Sequence, residues 1–114
     1  MANNNMARLN QDMKREIIDI ISHMKDPRVQ GFLTVTRVEV TPDLSNAKVY
    51  ISVLGKEDGT KEAVTALNRA SGHVRSEVAK RMHIRKSPEF LFIEDDGAAY
   101  ADRINRVIEG LKHE

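Results

Sequence analysis

The chain has 114 residues, no cysteine, 40% hydrophobic and 31% charged residues, and a net charge of +1. That length suits one domain with a real core, since a chain of this size buries roughly two-thirds of its unfolded surface. The absence of cysteine excludes disulfides and thiolate sites and fits a cytoplasmic protein. No apolar run approaches the roughly 20 residues of a membrane span.

Residues 1–8 are polar and Asn-rich and carry no apolar run of a signal peptide, so a flexible N-terminus is expected there and a single domain over 9–112. A helix is expected from about Asn10, which can cap it, with an apolar stripe of Met13, Ile17, Ile20, Ile21 and Met24. Pro27 closes it, because the residue before a proline avoids the α region. Two strands follow, over 32–41 and 47–55, and the short turn Pro42–Asn46 makes them an antiparallel hairpin. The apolar phase of the first strand slips between Val35 and Val38, which predicts a bulge.

Thr60 is a candidate cap for the next helix. After a long helical stretch, Pro88 marks a break and EFLFIE (89–94) reads as a third strand. A last helix then places Tyr100, Ile104, Val107, Ile108 and Leu111 on one face. The order predicts an α+β domain with helices on one face of a three-stranded sheet. The path from the second strand to the third is long enough for a parallel crossover.

The long helical stretch contains RASGHVR (69–75). A glycine inside a helix costs about 1 kcal/mol relative to alanine. Gly72 would let the chain leave helical geometry, and Ser71 could cap a helix that restarts there, exposing amides that suit a phosphate. Such a glycine is more often only a helix cap or a packing contact. Gly72→Ala is expected to straighten the junction and weaken binding of a partner while the fold survives.

Charge is uneven around this point. Arg69, Arg75, Lys80, Arg81, Arg85 and Lys86 stand against Glu77 alone, giving +5 over residues 69–86 and leaving −4 for the rest of the chain. Basic residues on a helix are usually a solvated face, but this density favours a polyanionic partner. Aromatic residues are only 4%, with no tryptophan, which favours backbone and shape readout over base stacking.

The element order resembles the type II KH domain, with the kink Ala70-Ser71-Gly72 in place of a Gly-x-x-Gly loop. That kink, with DPRV (26–29), VTPDLSNAKVYISV (40–53) and ASGHVRSEVAKRMHIRKSPEFLFIEDD (70–96), is similar to the bacterial ribosome-binding factor A family over nearly the whole chain. The resemblance implies an assembly factor without catalysis or cofactor. Such a factor binds the immature small (30S) ribosomal subunit, assists 5′-end maturation of its 16S rRNA, and is linked to growth in the cold. It implies rRNA contacts by Arg69, Ala70, Ser71, Gly72, Arg75, Lys80, Arg81, Arg85 and Lys86. His83 stands where many relatives carry a basic residue.

Enzyme chemistry has little support in the residues. The four histidines have no metal-ligand spacing, and no nucleophile elbow or Gly-rich phosphate motif is present. Glu94-Asp95-Asp96 could hold magnesium, though helix capping and a solvated turn explain it as well. A protein-interaction module or homodimer is the alternative to RNA binding. Every apolar stripe can be spent on one core, so a monomer is expected. Steep salt dependence would separate phosphate binding from an apolar interface.

Overall fold

A computed structural model describes residues 2–30, 32–55 and 58–95. The elements are α1 (Ala2–Ser22), a 3-10 turn (Pro27–Val29), β1 (Leu33–Val40), β2 (Asn46–Val53), α2 (Gly59–Arg69), α3 (Ser71–Met82) and β3 (Glu89–Glu94). The last helix expected from the sequence lies outside the described residues.

The helix α1 begins at Ala2 rather than near Asn10. Met6 and Leu9 extend its apolar stripe onto the core, so packing carries the helix through the Asn-rich start. Asn10 is therefore interior to the helix. Its Oδ1 accepts the Val40 amide of β1 at 3.1 Å. The helix ends at Ser22, ahead of Pro27, where the amides of His23 and Met24 reach back three residues to Ile20 and Ile21. The DPRV segment has a local explanation. Asp26 accepts from the Arg28 amide at 2.9 Å and pairs with its guanidinium at 2.7 Å. That lock closes the 3-10 turn and sends Val29 into the core beneath α2.

The sheet order is β1-β2-β3, with β1 antiparallel to β2 and β3 parallel to β2. The register slips between Val35 and Arg37, which places the bulge at Thr36. Without that extra residue the apolar positions would leave the core face. With it, Val35, Val38 and Val40 all point inward, joined by Ala47, Val49, Ile51, Phe90 and Phe92. Among the described residues α1, α2 and α3 pack on this face, through Met13, Ile17, Ala63, Leu67, Val74 and Val78. On the other face Arg37 stacks 4.2 Å over the Tyr50 ring and pairs with Glu39 at 3.0 Å.

Thr60 does not cap α2. That helix opens at Gly59 after Asp58, which is left-handed at φ 61° and makes no side-chain cap. The Thr60 hydroxyl instead accepts the Val53 amide at 2.9 Å and ties the start of α2 to the end of β2.

Candidate nucleic-acid interface

The corner between α2 and α3 is one residue wide. Ala70 leaves helical geometry at φ −95°, ψ 10°, while its amide still bonds the carbonyls of Ala66 and Leu67 at 3.1 Å. Gly72 does not make the break. It lies inside the first turn of α3, and a Cβ built on it would meet nothing within 4 Å. Ser71 is the first helical residue and contributes no side-chain cap. The expectation that alanine at 72 would straighten the junction is corrected accordingly.

What holds the corner is Asn68. Its Nδ2 donates to the Phe92 carbonyl at 3.0 Å, and its Oδ1 accepts the Phe92 amide at 2.9 Å. The carboxamide thus substitutes for a neighbouring strand along the edge of β3 that faces away from β2. With α2 pinned there, Val74 and Val78 are fully buried and set the rotation of α3. No motif marked Asn68 in the sequence. The available signal was its place four residues after Val64, on the flank of the apolar stripe.

That rotation sorts the candidate residues. Arg69 is exposed at the end of α2, and Gly72, His73, Ser76 and Lys80 are exposed along α3. Lys80 lies 3.5 Å from Glu77, a surface pair that leaves most of the ammonium in water. Beyond α3, His83 adopts the left-handed conformation at φ 54° and ends the helix, with its amide and that of Ile84 both on the Ala79 carbonyl. Arg85 and Lys86 follow on the exposed connector to β3. A helix of 12 residues spans about 18 Å, so cations mark both ends and one exposed side of α3.

Two of the arginines are held inside the protein's own framework. Arg75 donates from Nε to the Ser87 carbonyl at 3.1 Å and sits 3.8 Å from Glu89, bracing the connector. Arg81 follows Val74 and Val78 at helical spacing and so faces α1. Its guanidinium hydrogen bonds Asp19 and lies 3.5 Å from Glu16. That hydrogen bond holds the Asp19 carboxyl below the usual carboxylate range. The i, i+4, i+7 relation to the two valines was legible in the sequence and places Arg81 off the exposed side. Glu94 is the last residue of β3, and Asp95, just past it, accepts a hydrogen bond from Thr36.

An α+β domain with α1, α2 and α3 on one sheet face, a one-residue helix corner and a basic helix beyond it is a KH-like domain of type II order. Over residues 5–108 the sequence matches the family described as ribosome-binding factor A. The chain belongs to that family. It is 45% identical over its whole length to ribosome-binding factor A of Desulfitobacterium hafniense, covering 91% of that protein. The crystal structure of ribosome-binding factor A from Thermus thermophilus superposes with a TM-score of 0.68 at 31% identity, over 78% of this chain and 94% of that one. A homology model of the Thermus thermophilus protein, fitted into a cryo-EM map of a 30S–RbfA complex, superposes with a TM-score of 0.63 at 30% identity, over 75% and 90% of the two chains. Among the described residues no helix is long and apolar enough to cross a membrane, and no three acidic or histidine side chains gather as a metal site.

Proposed function

We propose that this protein binds the immature small ribosomal subunit in the cytoplasm and assists late maturation of 16S rRNA, including processing of its 5′ end and growth in the cold. The carrying observation is the uncovered α2–α3 corner. Gly72 presents bare backbone with empty space where a side chain would stand, with Arg69 at the end of α2, Lys80 exposed in the last turn of α3, and Arg85 and Lys86 beyond the far end of that helix. A phosphate backbone can approach such a surface closely and at the positive end of the α3 dipole. Recognition by shape and phosphate suits a folded rRNA, whose A-form major groove is closed to side chains. The chemistry is mechanical. Bound along the rRNA, the domain holds one conformation, or blocks a premature one, until assembly is complete. Ala70 and Ser71 shape the corner, Arg75 braces the connector to β3 and adds the half-exposed part of its guanidinium, and Arg81 ties α3 to α1.

Sedimentation of a cell lysate through a sucrose gradient tests this reading. The native protein is expected with free small subunits and not with translating ribosomes. A protein that stays at the top of the gradient at low salt has a different partner.

A further inference from the structure

The turn between β1 and β2 holds a leucine in a backbone conformation that opposes its side chain. Leu44 is left-handed at φ 61°. Among the described residues, Asp58 and His83 are the other non-glycine positions with positive φ. Aspartate and histidine are enriched in that region, whereas for a bulky residue it is an outlier that the Cβ disfavours. Glycine fills the left-handed place after a hairpin turn at no steric cost. Here the turn is built to hold the leucine. The Leu44 amide donates to the Thr41 carbonyl at 2.8 Å. Asp43 accepts from the hydroxyls of Thr41 and Ser45, each at 2.7 Å, and from the Ser45 amide at 3.1 Å. The side chain so placed is not spent on the core. It is 41% exposed and belongs neither to the buried cluster nor to the residues packed against it. A strained position whose side chain has no use within the domain points to a use outside it.

The turn adjoins the basic connector. The Ser45 carbonyl accepts the Glu89 amide at 3.0 Å, and Glu89 closes the segment that carries Arg85 and Lys86. The turn differs from that segment in chemistry. Pro42 and Leu44 are apolar and exposed. The only charge of residues 42–45 is the Asp43 carboxylate. The hydroxyls of Ser45 and Thr41 hold its carboxyl down to about 2, so it is an anion at neutral pH. An apolar and anionic tip repels phosphate and suits an apolar pocket edged by cations. Phe32 and Leu54 are more exposed and meet at the other end of the hairpin. Their surroundings mix Arg28 and Lys61 with Asp58 and Glu62, which selects no partner charge, and neither residue has a positive φ.

We propose that Leu44, presented by this turn, is an anchor for a protein of the small subunit, received in an apolar pocket with cationic edges beside the rRNA that the connector meets. The proposal rests on the small-subunit reading above. It gives the hairpin turn a protein partner where the α2–α3 corner takes RNA.

Leu44→Asn tests it, because asparagine accepts the left-handed backbone. The variant is expected to melt at or above the native temperature and yet to bind purified small subunits about fivefold more weakly or worse. A second readout uses the cysteine-free sequence. Pro42→Cys carries a benzophenone, and the full chain is irradiated on purified small subunits. The expected adduct is a subunit protein, identified by mass spectrometry and lost when Leu44→Asn is added. Native-like affinity of Leu44→Asn overturns the proposal. So does a lower melting temperature, which would mean that the leucine packs within its own domain. An adduct on rRNA alone, or none, overturns it as well. A native chain that does not bind small subunits is a different failure, since it removes the small-subunit reading itself and this proposal with it.

Discussion

Asn68 and Phe92 are joined as two strands would be. One carboxamide gives and takes a hydrogen bond with one backbone unit, at 3.0 and 2.9 Å. Phe92 is almost fully buried, so neither backbone group has water to turn to. Asn68→Leu keeps a side chain of similar size and removes both partners. A buried group left unsatisfied costs about 1–3 kcal/mol, so urea unfolding of this variant is expected to show a loss of about 2 kcal/mol or more. Because the same pair holds the last turn of α2, small-subunit binding should fall at temperatures where the variant is still folded. Native-like binding would separate the corner from recognition.

Gly72→Ala is expected to leave the corner in place. The residue is helical and its Cβ would stand in open space, so the exchange should raise stability by up to about 1 kcal/mol. If rRNA packs against the bare glycine, affinity for the subunit drops although the protein melts higher. A thermal melt beside a binding isotherm reads both. Equal binding by the stabilised variant would mean that nothing approaches this surface closely.

Neighbouring cations should behave oppositely. Arg81 spans to Asp19 and Glu16 of α1, whereas Lys80 faces solvent beside Glu77. Arg81→Ala is expected to lower the melting temperature and leave the salt dependence of binding nearly unchanged. Lys80→Ala should do the reverse, reducing the slope of log affinity on log salt by about 0.7–0.9, the loss of one phosphate contact.

Acid should loosen the hairpin turn between β1 and β2. Asp43 accepts from the hydroxyls of Ser45 and Thr41, each at 2.7 Å, and from the Ser45 amide at 3.1 Å. These bonds, the Ser45 hydroxyl first, lower its carboxyl from the ordinary 3.8 to about 2. A carboxyl depressed in the folded state contributes in full above its unfolded value and is lost as pH falls through the folded one. The window is therefore about pH 4 to 2. NMR titration should place the Asp43 midpoint near 2, and Asp43→Ala should flatten the fall in stability across that window. A midpoint close to 3.8 would mean that the turn does not hold the carboxylate.

The elements were legible where period and punctuation agreed. EFLFIE became β3 at its expected bounds, the slip between Val35 and Val38 became the Thr36 bulge, and the hairpin and parallel crossover followed from loop lengths. Caps were misread wherever a side chain had a tertiary partner that sequence could not display. Asn10 serves Val40 and Thr60 serves Val53, each across a long or closed loop. The corner was placed correctly in the chain but assigned to the wrong residue. Gly72 drew the reading because glycine is permissive, whereas the break falls at Ala70 and is enforced from β3 through Asn68. Of the basic stretch, the density of charge is visible in the sequence, while its sorting follows from the rotation of α3 that buried Val74 and Val78 impose.

The most direct measurement is binding of purified small subunits across a salt series, by the native chain and by a variant with Arg69, Lys80, Arg85 and Lys86 changed to alanine. All four side chains are exposed, so the variant should fold. The account predicts native binding that weakens steeply with salt, and a variant that binds far more weakly with a slope smaller by about 3, four contacts at roughly 0.7–0.9 each. A variant that binds like the native chain, with the same slope, would contradict the claim that this basic corner is the rRNA-binding face.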